Sequence, residues 1–485
     1  MSNFIFRRDE IEAFQIQEAE MRIKCKSDTE RRTESFERKN ILRDNLRSII
    51  HTQLALMFTP QTYEDMKHYV DATNNVMRRV MREISTVYAS EPMRAITPKS
   101  NQKRYEEIMQ AIGMDQKLQT ANFALNGLND IILQVTVMGG TIDFNILTPD
   151  MVTVFENKDN PQVLDALMIE DAYCDENGQM QRQWIYWSPT RHFIVDRDFR
   201  KKAISGNEEM VNPYAEQNIL NDKFYPFVVG HASTRENCFW DRYTGRDLVD
   251  ATKLVAIQST FRNFMVPMQF KQLSVKMTGV DERQGTTKSN QIKSPLDILT
   301  TNGEAQVLDW QNDLKQIGDQ IQAQIFAIAG NYGISAENFK LTAQAVSGFA
   351  RKVARERLDE IREEQIKIWR RIEADLFDAI RMANNVYGFA PIADTAKISI
   401  DFAEPKQMEN ESEVIDVQKE KIALGVMSLL DIIKNENPDV KTDEQAEEIL
   451  QKNLDINRRL GSRYGLDFQS LLKTRAQSAQ GVVNG

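Results

Sequence analysis

The apolar positions change period along the chain, and each change marks a new kind of element. Ile41, Leu42, Leu46, Ile49, Ile50, Leu54 and Leu56 recur at near-helical spacing. Pro60 interrupts, and Met66, Val70, Val76, Met77, Val80, Met81 and Ile84 continue a second helical face toward Ala89. The pattern is helical again from Tyr105 to about Asn129. At Ile131 the period becomes β-like: Ile131-Ile132-Leu133, Val135 and Val137 are strand-prone, and 141–155 reads as strand, turn, strand about Pro149-Asp150. Segments 163–173, 184–187 and 192–196, separated by Asp175-Glu176-Asn177-Gly178 and Ser188-Pro189, predict an antiparallel meander. Its Trp184, Tyr186, Trp187 and Phe193 are expected on packed sheet faces rather than as base-stacking platforms. Gly139-Gly140 reads as a tight turn between two strands.

The second half is built mainly from helices. Residues 246–265 carry a stripe of Leu248, Ala251, Leu254, Val255, Gln258 and Phe261, and Val266-Pro267 is expected to end or kink that helix. Between 269 and 307 the ends are β-prone, at 273–277 and 296–300, with a polar loop at 278–293. A helix over 309–329 follows, with Leu314, Ile317, Ile321, Ile325 and Ile328 at helical spacing over roughly 30 Å. A glycine-containing break at 330–348 precedes a long helix, 349–384, which could be a coiled-coil strand or a helix packed inside a larger assembly. Residues 397–402 predict a short strand, and 404–413 an acidic linker. A helical segment to about Leu472 should break at Gly425, Asn437-Pro438 and Gly461. The fold class is therefore α+β and helix-rich.

Composition narrows the function. The 485 residues are 41% hydrophobic and 27% charged, an ordinary globular balance that sets disorder aside. No stretch approaches the roughly 18 consecutive apolar residues of a membrane span. The start turns charged at Arg7, so no secretory signal is expected. Cys25, Cys174 and Cys238 are odd in number and far apart, which suits a reducing cytosol. The net charge of -10 disfavours tight general DNA binding but permits a loose hold, since an acidic wall repels phosphates. The densely charged stretch 24–39 reads as a solvated helix face. There is no GxxxxGK[ST] loop, no HExxH and no GxSxG elbow. His51, His68, His192 and His231 lack acidic or cysteine companions at ligand spacing, so structural or surface roles are expected for them. No catalytic residue, metal site or cofactor is expected.

Several local motifs occur in order along the chain: Asn75-Val76-Met77-Arg78-Arg79-Val80 with Tyr88-Ala89-Ser90-Glu91-Pro92, then Leu147-Thr148-Pro149-Asp150-Met151-Val152-Thr153-Val154, and Tyr225-Pro226-Phe227-Val228-Val229. Phe239-Trp240-Asp241 with Gly245-Arg246-Asp247-Leu248-Val249-Asp250 follow, and then Ser347-Gly348-Phe349-Ala350-Arg351-Lys352. In this order they resemble the portal (head-tail connector) family of tailed bacteriophages, from whose commoner form Phe349 and Arg351 depart. The resemblance covers about residues 40 to 470 and lies in order more than in any one motif.

It implies a wing at 1–245 (N-terminal helices plus the β meander), a first stem helix at 246–266, a clip at 267–308 and a second stem helix at 309–329. Residues 330–405 would hold a tunnel loop, the long helix and a return to the wing, and 406–485 a helical crown and tail. It further implies a cyclic homo-oligomer, of twelve subunits in most members, at one vertex of the capsid. Its implied partners are double-stranded DNA passing through the channel, the terminase large subunit, head-completion or tail adaptor proteins and the major capsid protein, with assembly in the host cytoplasm. Candidate channel-loop residues are Asn331, Lys340, Gln344, Ser347 and Gly348. Candidate docking residues on the clip are Arg283, Lys288 and Lys293, set against Asp281 and Glu282. Two other readings stay open: another structural minor head or connector protein of a virion, and an enzyme of unrecognised type.

Overall fold

The computed structural model describes residues 8–157, 159–174, 178–234, 237–271, 275–278, 304–307, 314–334, 348–402, 421–422, 424–425, 428–436 and 442–464. The chain divides between Glu404 and Pro405 into two compact units. The first is a mixed helix-and-sheet body. It opens with helices α1 (Arg8–Ser27), α2 (Thr29–Leu42), α3 (Leu46–Met57), α4 (Pro60–Met66) and α5 (Val76–Ile84). Strand β1 (Met93–Thr97) and helices α6 (Gln102–Ile112) and α7 (Met114–Leu128) follow. Gly113, at φ +66°, separates those last two, in the left-handed region that ends a helix.

Strands β2 (Asp130–Met138) and β3 (Thr141–Leu147) form a hairpin turned by Gly139 and Gly140, both at positive φ. A 3-10 turn at Pro149–Met151 leads into β4 (Val152–Glu156), β5 (Leu164–Cys174), β6 (Met180–Trp187), β7 (His192–Val195) and β8 (Lys201–Lys202). These five make an antiparallel meander in sequence order. Helix α8 (Ala215–Asn221) and strand β9 (Phe227–His231) come next, and β9 returns to pair with β2, giving the order β3-β2-β9.

Strand periodicity explains how these sheets share their cores. Along β2, Ile131, Leu133 and Val135 pack into one apolar cluster, while Ile132 packs into another with β4, β5 and Phe227. Along β5, Leu167 and Ile169 face that second cluster, and Ala166 and Met168 face a third that includes Met21 of α1, Tyr186 and Phe193. Tyr186, Trp187 and Phe193 are buried on the sheet faces, with Tyr186 and Phe193 stacked at 4.5 Å.

The second half of the body is a set of long helices. α9 (Arg246–Lys271) leads toward β10 (Val275–Thr278), which pairs antiparallel with β11 (Glu304–Val307), and α10 (Leu314–Asn331) returns. α11 (Gly348–Val386) crosses the body, and β12 (Lys397–Asp401) pairs with β1 across some three hundred positions of sequence. α11 is a packed body helix: Ile366, Trp369, Ile372, Leu376, Phe377 and Ile380 sit in the main core against β2 and β9. Buried polar contacts fix it there. The Trp369 Nε1–H donates to Asn122 Oδ1 at 2.9 Å, and Glu373, fully buried, accepts from Arg94 Nε and from the Tyr88 hydroxyl, each at 2.6 Å.

The second unit contains α12 (Leu429–Glu436) and α13 (Asp443–Tyr464) among its described residues. Ser428 and Asp431 cap α12 reciprocally, the two helices pack on each other, and Ala446 of α13 is buried.

Three expectations are corrected here. α9 does not end at Val266-Pro267 but runs to Lys271. Phe261 and Phe264 seat it edge-on against Phe58 and Tyr69 just before the proline, and α10 lies alongside, so tertiary contacts offset the lost backbone hydrogen bond. Gly461 lies inside α13 rather than breaking it. The expected break at 330–348 closely matches the helix bounds, since α10 ends at Asn331 and α11 begins at Gly348, and the turn after α10 is made at Gly333, φ +68°. The charged stretch 24–39 is not simply a solvated face: Arg31, Arg38 and Lys39 are buried.

Candidate functional site: a helix pair and its base

α9 and α10 run antiparallel along each other, with Asp247 opposite Tyr332 near one end and Arg262 opposite Gly318 further along. Their shared face is apolar. Leu248, Val255 and Ala256 of α9 and Ile321 and Ala329 of α10 are buried together with α2, α3 and α5. The outward face of α10 presents Lys315, Gln316, Asp319, Gln320, Gln322, Ala323 and Ala327, all exposed. It offers amides and small side chains with one charge of each sign. Such a surface can hydrogen-bond to a passing polyanion but offers little counterion-releasing grip, since affinity for nucleic acid grows with each phosphate neutralised.

The base of the pair is polar and partly buried. Gly245, φ +78°, precedes α9. A side chain there would approach Arg38 and Tyr332, each 3.6 Å from a would-be Cβ. The Asp241 carboxylate accepts from the backbone N–H groups of Tyr243 and Thr244, both at 3.0 Å, folding the segment into a turn. Just after α10, at the same base, the Tyr332 hydroxyl donates to Asp247 Oδ1 at 3.1 Å. Burial, with the Asp247 carboxylate beside it, pushes the Tyr332 phenol up, so it stays a donor. Burial lowers Arg38, although Asp241 opposes the shift.

α2 supplies the other wall. Arg31 Nη1 and Nη2 donate to the carbonyls of Pro149 and Val152, both at 2.8 Å. Lys39 Nζ donates to Thr148 Oγ1 and Asp150 Oδ2, both at 2.8 Å. These buried cations thus complete the turn into β4 rather than meet solvent. The Arg31 guanidinium also lies 4.6 Å from the Trp240 ring.

Of the residues singled out from sequence, Asn331 is the exposed last residue of α10, and Gly348 is the first residue of α11. Lys340, Gln344, Ser347, Arg283, Lys288 and Lys293 lie outside the described residues, as do the expected strand 296–300 and the polar loop 278–293 apart from Thr278, which ends β10. The set around the base of α9 (Asn129, Asp130, Arg38 and Tyr332) was not singled out. Only Asn129 carried a readable signal, as an Asn following an apolar helix; it occupies the left-handed region at φ +68°.

Histidine environments are likewise set by long-range contacts. His51 Nδ1 meets the Tyr63 hydroxyl at 3.2 Å, His192 stacks on Trp187, and His231 Nδ1 meets Asp130 Oδ1 at 2.7 Å. Among the described residues no cluster of three or more His, Cys, Asp or Glu could hold a metal ion, and no helix is long and apolar enough to cross a membrane.

No protein-family model matches the chain. No curated protein matches it either. Among solved structures, it is similar to a chain of a "Virion of native gene transfer agent (GTA) particle", at 10% identity and a TM-score of 0.36. That similarity covers 74% of this chain and 88% of the other.

Proposed function

We propose that this chain is a phage portal protein, the subunit of a ring through which viral DNA enters and leaves the capsid. The observation that carries the reading is the α9–ribbon–α10 arrangement. In chain order a long helix is followed by a two-stranded antiparallel ribbon and then by a second helix that runs antiparallel along the first. The sequence motifs that resemble the portal family flank this arrangement on both sides. In this reading α9 and α10 form the stem and the ribbon belongs to the clip. The near-neutral outward face of α10 is a wall along which the duplex slides. The clip docks the terminase motor and later the head-completion or tail adaptor proteins, and the body contacts neighbouring copies and the capsid. A head-to-tail contact repeated by a closing rotation gives a ring with an open axis. The protein supplies a conduit and a docking platform, and no chemistry: hydrolysis belongs to the motor. The test is direct. Electron microscopy of the purified protein should show closed rings with an axial channel, whereas a monomer stable across a wide concentration range contradicts the proposal.

A further inference from the structure

The start of α9 is held in a two-layered polar joint, and we propose that Asp130 is the positioning residue that sets the helix pair against the α/β body. The inference goes beyond the portal reading and does not depend on it.

The inner layer is buried. Asp130, the first residue of β2, is 1% exposed. One of its oxygens meets His231 Nδ1 of β9 at 2.7 Å, and the other accepts the backbone N–H of Asp241 at 2.8 Å. Its neighbour Asn129 donates from Nδ2 to the carbonyls of Thr244, at 2.8 Å, and Asp241, at 3.2 Å. Arg38 of α2 donates to the same Thr244 carbonyl at 2.6 Å. The segment 241–244 is therefore gripped through its backbone, immediately before a glycine in the left-handed region.

The outer layer is ionic. Glu30, Glu34 and Glu37 recur on one side of α2, at the spacing of successive helical turns. Glu30 and Glu34 meet Arg242 at 3.3 and 3.0 Å, Glu34 lies 3.9 Å from Arg246, and Glu37 meets Lys253 at 3.2 Å. These pairs reach solvent and are screened by salt, whereas the inner layer is insulated from it. Removing the Asp130 carboxylate leaves the joint to the Asn129 and Arg38 donations and to the outer layer, a larger share of which is screened by salt, so the effect of that change must grow with ionic strength.

Hydrogen exchange of the full-length protein tests this, comparing wild type with Asp130→Asn at low and high salt. Amides of 241–250 should exchange roughly 10-fold faster or more in the variant, because a buried charge-assisted pairing has been lost. Those of 131–135 in β2 should keep their protection, and the acceleration should be larger at high salt. Asn129→Gly provides an independent arm that keeps the left-handed backbone and removes the side-chain donations to Asp241 and Thr244. It should loosen the same segment to a smaller degree. Acceleration spread equally over β2, β9 and α7 in both variants would reduce Asp130 and Asn129 to ordinary core residues. Unchanged exchange at 241–250 in both, or in Asn129→Gly when Asp130→Asn does not fold, would overturn the proposal.

Discussion

At the residue scale, the buried charges matter most. The Glu373 and Arg94 side chains are 0% and 4% exposed and hold each other, with Asp115 as a further acceptor for Arg94 at 2.7 Å. Removing Glu373 leaves the buried Arg94 charge with only the partly exposed Asp115 carboxylate to compensate it. Glu373→Ala should therefore cost about 3–5 kcal/mol of unfolding free energy, measured by denaturant titration of the intact chain. His192 gives a pH signature. Burial against the sheet lowers its pKa to about 4. The unfolded chain takes up this proton near its ordinary value, roughly pH 6.5, while the folded chain resists until about pH 4. The unfolded state thus binds more protons in that window, and this residue's contribution to stability falls as pH drops from about 6.5 to about 4. His192→Phe, which keeps a ring over Trp187, should flatten the melting temperature across that window; an unchanged slope would assign the acid sensitivity elsewhere. None of this was legible locally. Residues 24–39 read as a solvated charged face because helical periodicity shows which residues share a face, not whether a partner such as the Pro149 or Val152 carbonyl waits opposite.

At the element scale, sequence and structure agree wherever the pattern is local. The Gly139-Gly140 turn, the meander strands and the helices that became α9, α10 and α11 were all readable from period and turn chemistry. β1 was missed because its partner β12 lies some three hundred residues away, and nothing within 93–97 announces it. The close approach of α7 to α2 was equally invisible. A Cβ at Gly127 would overlap the Leu42 side chain, in a buried contact. Gly127→Ala should destabilise the body by about 1–3 kcal/mol, read as a lower unfolding midpoint, although alanine is the better helix former. Pro267 runs the other way. Because α9 continues through it, Pro267→Ala restores a backbone donor and should stabilise that helical turn by up to about 3 kcal/mol, seen as slower amide exchange over 263–271. The outward face of α10 carries a functional prediction. Gln316→Lys with Gln320→Lys should slow DNA packaging in a salt-relieved manner by adding phosphate contacts. A packaging rate equal to wild type at low salt would place that face away from the DNA.

At the scale of the whole molecule, the architecture determines what can be asked of it. A body with interlocked cores supports a helix pair whose base is pinned by side chains from α2, β2 and the end of α10. Six of the eight residues proposed from sequence for the channel loop and the clip lie outside the described residues, so the functional reading rests on the frame that presents them. The same reading assigns hydrolysis to a partner, and the protein alone should show no sustained ATPase activity in a contaminant-free preparation. The measurement that bears most directly on the central claim is negative-stain electron microscopy of the purified full-length protein, with native mass spectrometry of the same sample. The account predicts closed rings of one subunit count, twelve in the usual portal arrangement, with a stain-filled axial channel wide enough for a DNA duplex. A homogeneous monomer or closed two-fold dimer at every concentration examined would contradict it.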